Sequence, residues 1–297
     1  MIRILFIQIP KKLIREFNFN IYEIENHKIF NVNINGSPIQ IISTSRLTKN
    51  YTFVDYLNAG IQIGLSVAID FTGSNKDPNN SNSLHYINGN EPNQYEKAIN
   101  SCGYIVGHYD YDKIFPCFGF GAKINNTPKQ LFNLNFQENP YIDYIDGIIN
   151  AYHNAIKIVK FWGPTNFAPI IREMNRIIKE QKHKLKYHIL MILTDGMIDD
   201  IDDTIDELVA GSFLPLSVII IGVGEADFSN MVMLDADDKP LVDSRGVKSV
   251  RDLVQFVPFL KFESNPENLA IEVLEEIPRQ IVEYYEQNNL DPINLTI

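Results

Sequence analysis

Apolar residues run almost unbroken at three places: Ile61–Ile69, "YHILMIL" (187–193) and "LSVIIIGVG" (216–224). Runs of this length without polar alternation predict strands buried on both faces of a parallel sheet. Between them the spacing turns helical. Asn93–Cys102, Ala168–Lys179 and Asp200–Leu208 each read as helices, and Tyr141–Val159 places apolar residues at 142, 145, 148, 149, 152, 155, 156 and 159. "KIFPCFGFG" (113–121) and "QLFNLNF" (130–136) predict two further strands, and Glu267–Gln287 predicts one long amphipathic closing helix. Strands alternating with helices predict an α/β fold, a doubly wound and mostly parallel sheet flanked by helices. It occupies roughly residues 60–290.

Residues 1–50 follow another pattern. "KIFNVNING" alternates polar and apolar positions and "PIQIIS" follows a Gly-Ser turn, so Lys28–Ser43 predicts a β-hairpin. A lone hairpin is not stable in water. This stretch is therefore expected to be an edge of the main domain or the tail of a domain that begins earlier.

Composition narrows the function. A net charge of -11 and a pI near 5.0 argue against a nucleic-acid partner, which demands a basic surface. They also give no electrostatic attraction to an anionic membrane. The two cysteines, Cys102 and Cys117, have no zinc-ribbon or RING spacing and no disulfide framework. Both fit a reduced, intracellular protein. The apolar part of "MIRILFIQIPKK" is too short for a leader and no small-residue cleavage site follows. No segment is long enough to span a bilayer. The chain is expected to be soluble and cytoplasmic.

Two of the buried strands end in aspartate: "VAID" in Asp70 and "ILTD" in Asp195. In a doubly wound sheet, ligands collect beyond the carboxyl ends of the strands. Asp70, Thr72 and Ser74 alternate, so partly extended backbone throws their oxygens to one side. Thr165, in "GPTNF" just before a helix, can add another. Two carboxylates and three hydroxyls form an oxygen-only set suited to one Mg2+ or Mn2+ ion. Each piece has a plainer role. Asp70 and Asp195-Gly196 suit turns, and a Thr before a helix is first of all an N-cap. Their combination at these strand ends favours the metal.

Other motifs lead nowhere. "DADDKPLVD" (235–243) places Lys239 and Pro240 where a calcium loop needs an oxygen and a glycine. "GFG" and "GVG" lack the spacing of a dinucleotide loop, and neither a P-loop nor a nucleophile elbow occurs. The histidines at 27, 85, 108, 153, 183 and 188 have no paired metal spacing. Phe161, Trp162 and Pro164 flank Thr165 and could rim a partner site, but a Trp162 partly buried at the sheet edge is the simpler expectation.

Asp-x-Thr-x-Ser, a later Thr loop and a strand-end Thr-Asp-Gly resemble the metal-ion-dependent adhesion site of von Willebrand factor A domains. More specifically, "VAIDFTGSNKDPNNSNSLHYI", "FPCFGFGAKI", "GPTNFAPII", "LTDGMIDD", "IIIGVGEADFSNM" and "RDLVQFVPF" resemble the copine family, from about Tyr51 to Gln287. Most A domains have Ser where Thr72 stands; copines have Thr. The resemblance implies a von Willebrand factor A-like domain over 51–290, a tail over 291–297, and Asp70, Thr72, Ser74, Thr165 and Asp195 as metal ligands. It also implies a family linked to calcium-dependent phospholipid binding and membrane-associated signalling through two preceding C2 domains. Residues 1–50 contain no aspartate, so they carry no C2 calcium loop. They read as the remnant of a C2 domain, and the chain as a fragment, a truncated product or a stand-alone A domain.

The leading expectation is a binding module, not an enzyme. Its bound Mg2+ or Mn2+ would capture an acidic residue of an intracellular protein. Membrane contact would be indirect or through C2 domains, placing a full-length relative at the plasma membrane. The alternatives are a metal-assisted phosphate-ester enzyme, for which the sequence displays no general base or cationic clamp, and a scaffold that binds no metal.

Overall fold

The computed structural model describes the four strands within residues 2–42, and residues 50–295 except 90, 182–184, 236–238 and 263–264. Two compact units result, 1–50 and 51–297. The first unit contains two antiparallel ribbons. One pairs β1 (Ile2–Ile9) with β2 (Lys12–Phe19); the other pairs β3 (Ile29–Ile34) with β4 (Ser37–Ile42). The β3–β4 ribbon is the hairpin expected from its alternation. The β1–β2 ribbon was not foreseen.

The second unit opens with α1 (Phe53–Asn58), whose start is fixed by a capping box between Thr52 and Asp55. Its central strands are β5 (Gln62–Asp70), β6 (Ile114–Ile124), β7 (Thr127–Asn133), β10 (Lys186–Thr194), β11 (Leu216–Gly222) and β12 (Val254–Pro258). They lie in the order β12-β11-β10-β5-β6-β7, parallel except for β7. Two short strands, β8 (Tyr141–Asp143) and β9 (Lys160–Phe161), pair with β6. The chain winds outward from β5 to β7, then returns to β10 and winds the other way. The reversal falls between β5 and β10, the place where such sheets bind ligands.

Side chains alternate across the sheet. On β10, Ile189, Met191 and Leu193 enter one core with α2 (Gln94–Tyr109) and α3 (Tyr144–Ile158). Leu190 and Ile192 enter the other core with α4 (Ala168–Glu180) and α5 (Ile201–Gly211). Burial on both faces accounts for the unbroken apolar runs.

Several boundaries differ from expectation. Helix α2 runs on past Cys102 to Tyr109, and Tyr141–Asp143 is strand because it pairs with the start of β6. The single helix expected over Glu267–Gln287 is two, α7 (Pro266–Val273) and α8 (Ile277–Gln287), after the short α6 (Ser229–Leu234). Pro278 sits in the first turn of α8. A proline lacks an N–H and crowds the preceding turn, so it suits a helix start and breaks a longer one. Beyond it α9 (Pro292–Leu295) inserts Leu295 into the core. Among the described residues no helix is long and apolar enough to cross a membrane.

Candidate metal site

The site is built where β5 and β10 end side by side. Their parallel register, Leu193 beside Ile69, brings the next pair together, and Thr194 donates from Oγ1 to Asp70 Oδ2 at 2.6 Å. The other carboxylate oxygen of Asp70 accepts the backbone N–H of Thr72 at 2.8 Å. That bond curls the chain into a short turn, Gly73–Asn75, and brings Ser74 over the sheet end. Ser74 Oγ donates to Asp195 Oδ1 at 2.8 Å and lies 2.9 Å from Thr72 Oγ1. Thr72 Oγ1 is 3.5 Å from the same Asp195 oxygen. Four of the five expected residues thus form one cluster, graded from fully buried Asp70 to exposed Ser74.

Thr165 reaches the same region by its backbone. Its N–H donates to Asp199 Oδ2 at 2.7 Å, and its carbonyl accepts the Asp199 N–H at 2.9 Å. Its hydroxyl makes no hydrogen bond to the other four residues, nor does it cap α4. The Asp200 carboxylate does that, accepting the N–H groups of Phe167 and Ala168 at 2.9 and 3.0 Å. The N-cap role expected of a lone Thr before a helix is therefore taken by a distant aspartate. Three residues upstream, Trp162 accepts the Gly73 N–H at 2.7 Å and bridges Thr72, which sets the Thr165 loop beside the cluster. Trp162 is partly buried as expected, half exposed, with Lys123 Nζ 2.9 Å from the ring centre.

A second layer fixes the first. His85, fully buried, donates from Nε2 to the Asp70 carbonyl at 2.8 Å, so its Nδ1 accepts from the Tyr152 hydroxyl, also at 2.8 Å. It stacks on Tyr95, which donates to Asn75 Oδ1 at 2.6 Å; Asn75 in turn lies 3.4 Å from Thr72 Oγ1. Burial pushes His85 down to about 3, which keeps it neutral. Gly121, at φ +71, packs so closely on Thr72 that a Cβ would run into Thr72 Cγ2.

The electrostatics suit a cation. Burial, and then the charge of Asp195, raise Asp70 to about 7, against the lowering effect of its bonds from Thr194 and Thr72. Burial also raises Asp195 despite its bond from Ser74. Among the described residues no lysine or arginine pairs with either carboxylate. Two facing carboxylates, ringed by hydroxyls and lacking a counter-charge, form a hard-oxygen set that fits Mg2+ or Mn2+. Among the described residues no group of three or more His, Cys, Asp and Glu could hold a metal. This cluster has two carboxylates, and its remaining oxygens are hydroxyls.

Residues 83–293, more than two thirds of the chain, match the family model described as Copine. The chain belongs to the copine family. This copine is also similar to several solved structures. Against the manganese-loaded TRAP protein of Plasmodium vivax the identity is 14%, covering 74% of this chain and 73% of that one, with a TM-score of 0.44. Against the mussel byssus proximal thread matrix protein 1 with a zinc-occupied MIDAS motif, the values are 12%, 72%, 48% and 0.42. The SpRpn10 VWA domain gives 12%, 67%, 87% and 0.41.

Four residues important to the copine site escaped the sequence reading. Thr194 was seen only as a strand end, although "LTD" places its hydroxyl one position before Asp195. Asp200 reads only as the first residue of a helix, and Asp199 carries no reading of its own. His85 was expected to be polar packing or surface, and its burial behind Asp70 answers the first of these. The turn at 235–243 falls partly outside the described residues.

Proposed function

We propose that this copine domain is a divalent-metal-dependent protein-interaction module rather than an enzyme. The observation that carries the reading is the pair Asp70 and Asp195, 0% and 5% exposed, without a cationic partner beneath a mouth formed by Ser74. Asp70, Thr72, Ser74, Thr165 and Asp195 would hold one Mg2+ or Mn2+, directly or through water. When bound, the ion would supply a positive centre able to attract a partner's carboxylate. The chain's own part is to keep that centre rigid: Thr194 and the Thr72 N–H orient Asp70, and Asp199 fixes the Thr165 loop. His85 has both ring nitrogens engaged, which supports binding over proton transfer at this site. The partner is a cytoplasmic protein presenting an acidic residue, and membrane contact is indirect.

Manganese titration and a pull-down in Mg2+ or EDTA, comparing wild type with Asp70→Ala, test the proposal. Partners should be recovered only by wild type and only with Mg2+. The same partners in EDTA, or with Asp70→Ala, would refute it.

A further inference from the structure

A cavity of about 810 Å3 lies behind the metal turn, lined by Gly73 of that turn and by Lys76, which follows it. Its far wall is the last turn of α3 and the chain leading into β9. The volume suits a small organic molecule. Its charge runs against that of the protein. In a chain of net charge -11, Lys76, Lys157 and Lys160 all line this one space. Among the described residues none of the three makes an ion pair or a side-chain hydrogen bond.

Asp77 lines the same space, but it pairs with none of the three lysines. Asp77 Oδ1 accepts the N–H and the Nδ2 of Asn79, both at 2.9 Å, and His153 Nε2 is taken by Glu96 at 2.7 Å. Lys157 has a partial explanation, since a cation in the last turn complements the helix dipole. Lys76 and Lys160 lie outside the helix and have none. Lys76 also occupies backbone with φ 67 and ψ 169, a region that glycine fills without strain. Its placement is enforced by its N–H donating to Gly73 O and by Ser83 Oγ donating to its carbonyl. A lysine held where glycine would be easier, lining one cavity with two other unpaired lysines, points to an anion. Ile156 and Phe161 add apolar surface to the wall, beside the polar Asn79, His85 and His153.

We propose that this cavity binds a small soluble organic phosphate. Its phosphates would meet Lys76, Lys157 and Lys160, and its uncharged body would lie on Ile156 and Phe161. Phosphate is the anion that several converging lysines read best as point charges.

The full chain is titrated calorimetrically with inositol trisphosphate and, separately, with inorganic phosphate. EDTA in both titrations keeps the metal cluster out of the measurement. Saturable binding of the trisphosphate is expected, at least tenfold weaker in Lys76→Gly/Lys160→Ala. Glycine suits the Lys76 backbone, so this variant should keep the thermal midpoint of wild type, and its manganese titration without EDTA should be unchanged. Inorganic phosphate should bind more weakly than the trisphosphate. No binding in wild type, or equal affinity in the variant, overturns the proposal. Inorganic phosphate binding as tightly as the trisphosphate removes the role given to Ile156 and Phe161. Phosphatidylcholine vesicles carrying phosphatidylinositol bisphosphate should sediment no more protein than plain vesicles; sedimentation without trisphosphate binding makes the occupant a lipid surface and overturns a soluble one. Manganese binding is read separately, so failure here leaves the adhesion-type reading standing, and the reverse also holds.

Discussion

Replacing Gly121 with alanine should break the metal site from outside it. Gly121 lies at φ +71, and a Cβ there would overlap Thr72 Cγ2 and approach Thr72 Cβ and N to 3.3 Å. Left-handed backbone costs an L side chain about 1–2 kcal/mol, and overpacking a buried contact costs about 1–3 kcal/mol. Gly121→Ala should therefore destabilise the second unit by about 2–5 kcal/mol. Thr72→Ser separates the two costs. It removes Cγ2, keeps the hydroxyl, and by itself should cost about 1 kcal/mol as a lost buried methyl. With both substitutions most of the overlap disappears, so the pair should be less destabilising than the sum of the singles by about 1–3 kcal/mol. Urea unfolding followed by the fluorescence of Trp162, the chain's one tryptophan, measures this at the right place. That residue donates its N–H to Gly121 O at 3.0 Å. Manganese affinity on the same samples should fall in Gly121→Ala and recover in the pair. Costs that add to within about 0.5 kcal/mol would show that residue 121 does not press on Thr72, and the reasoning would be wrong.

Two further predictions concern groups buried by the same sheet. Thr194→Val keeps the shape but removes the 2.6 Å bond to Asp70; manganese affinity should drop roughly 10–100-fold, as for other groups that orient metal ligands, and an affinity within twofold of wild type would rule out that positioning role. His188 is pushed down to about 3, by burial first and then by the charge of Lys186. The unfolded chain takes up this proton below about pH 6.5 while the folded chain refuses it, so the stability this group supports is present above that pH and drains away as pH falls towards 3. The loss should be about 1.4 kcal/mol per pH unit. His188→Phe should lose less stability than wild type between pH 7 and pH 4.5, and equal losses in urea titrations would sink the assignment.

The sheet was readable because its strands are buried on both sides, so β5, β10 and β11 declare themselves as apolar runs with no knowledge of their neighbours. Strand β12 was overlooked because "VQFVP" is short, carries a glutamine and ends in proline. The closing helix was misread because its apolar face continues across the break at Leu274–Glu276, and periodicity does not register a proline's missing N–H. At the site, Asp70, Thr72 and Ser74 were legible from local alternation alone. Thr194 was not, since its meaning depends on a carboxylate 124 positions away. Thr165 was legible from its loop before a helix, but what holds it there was not. Its place follows from Asp199, and its freedom from capping follows from Asp200, neither of which belongs to its own segment.

The stretch from Asp195 to Asp200 has a mechanical consequence. One end supplies a carboxylate to the cluster; the other clasps Thr165 through Asp199 and the first turn of α4 through Asp200, at the very start of α5. These six residues act as a tie rod between the floor of the crevice and two helices on one face of the sheet. A tug on Asp195 from above is expected to reach the Thr165 loop and the near ends of both helices through these bonds.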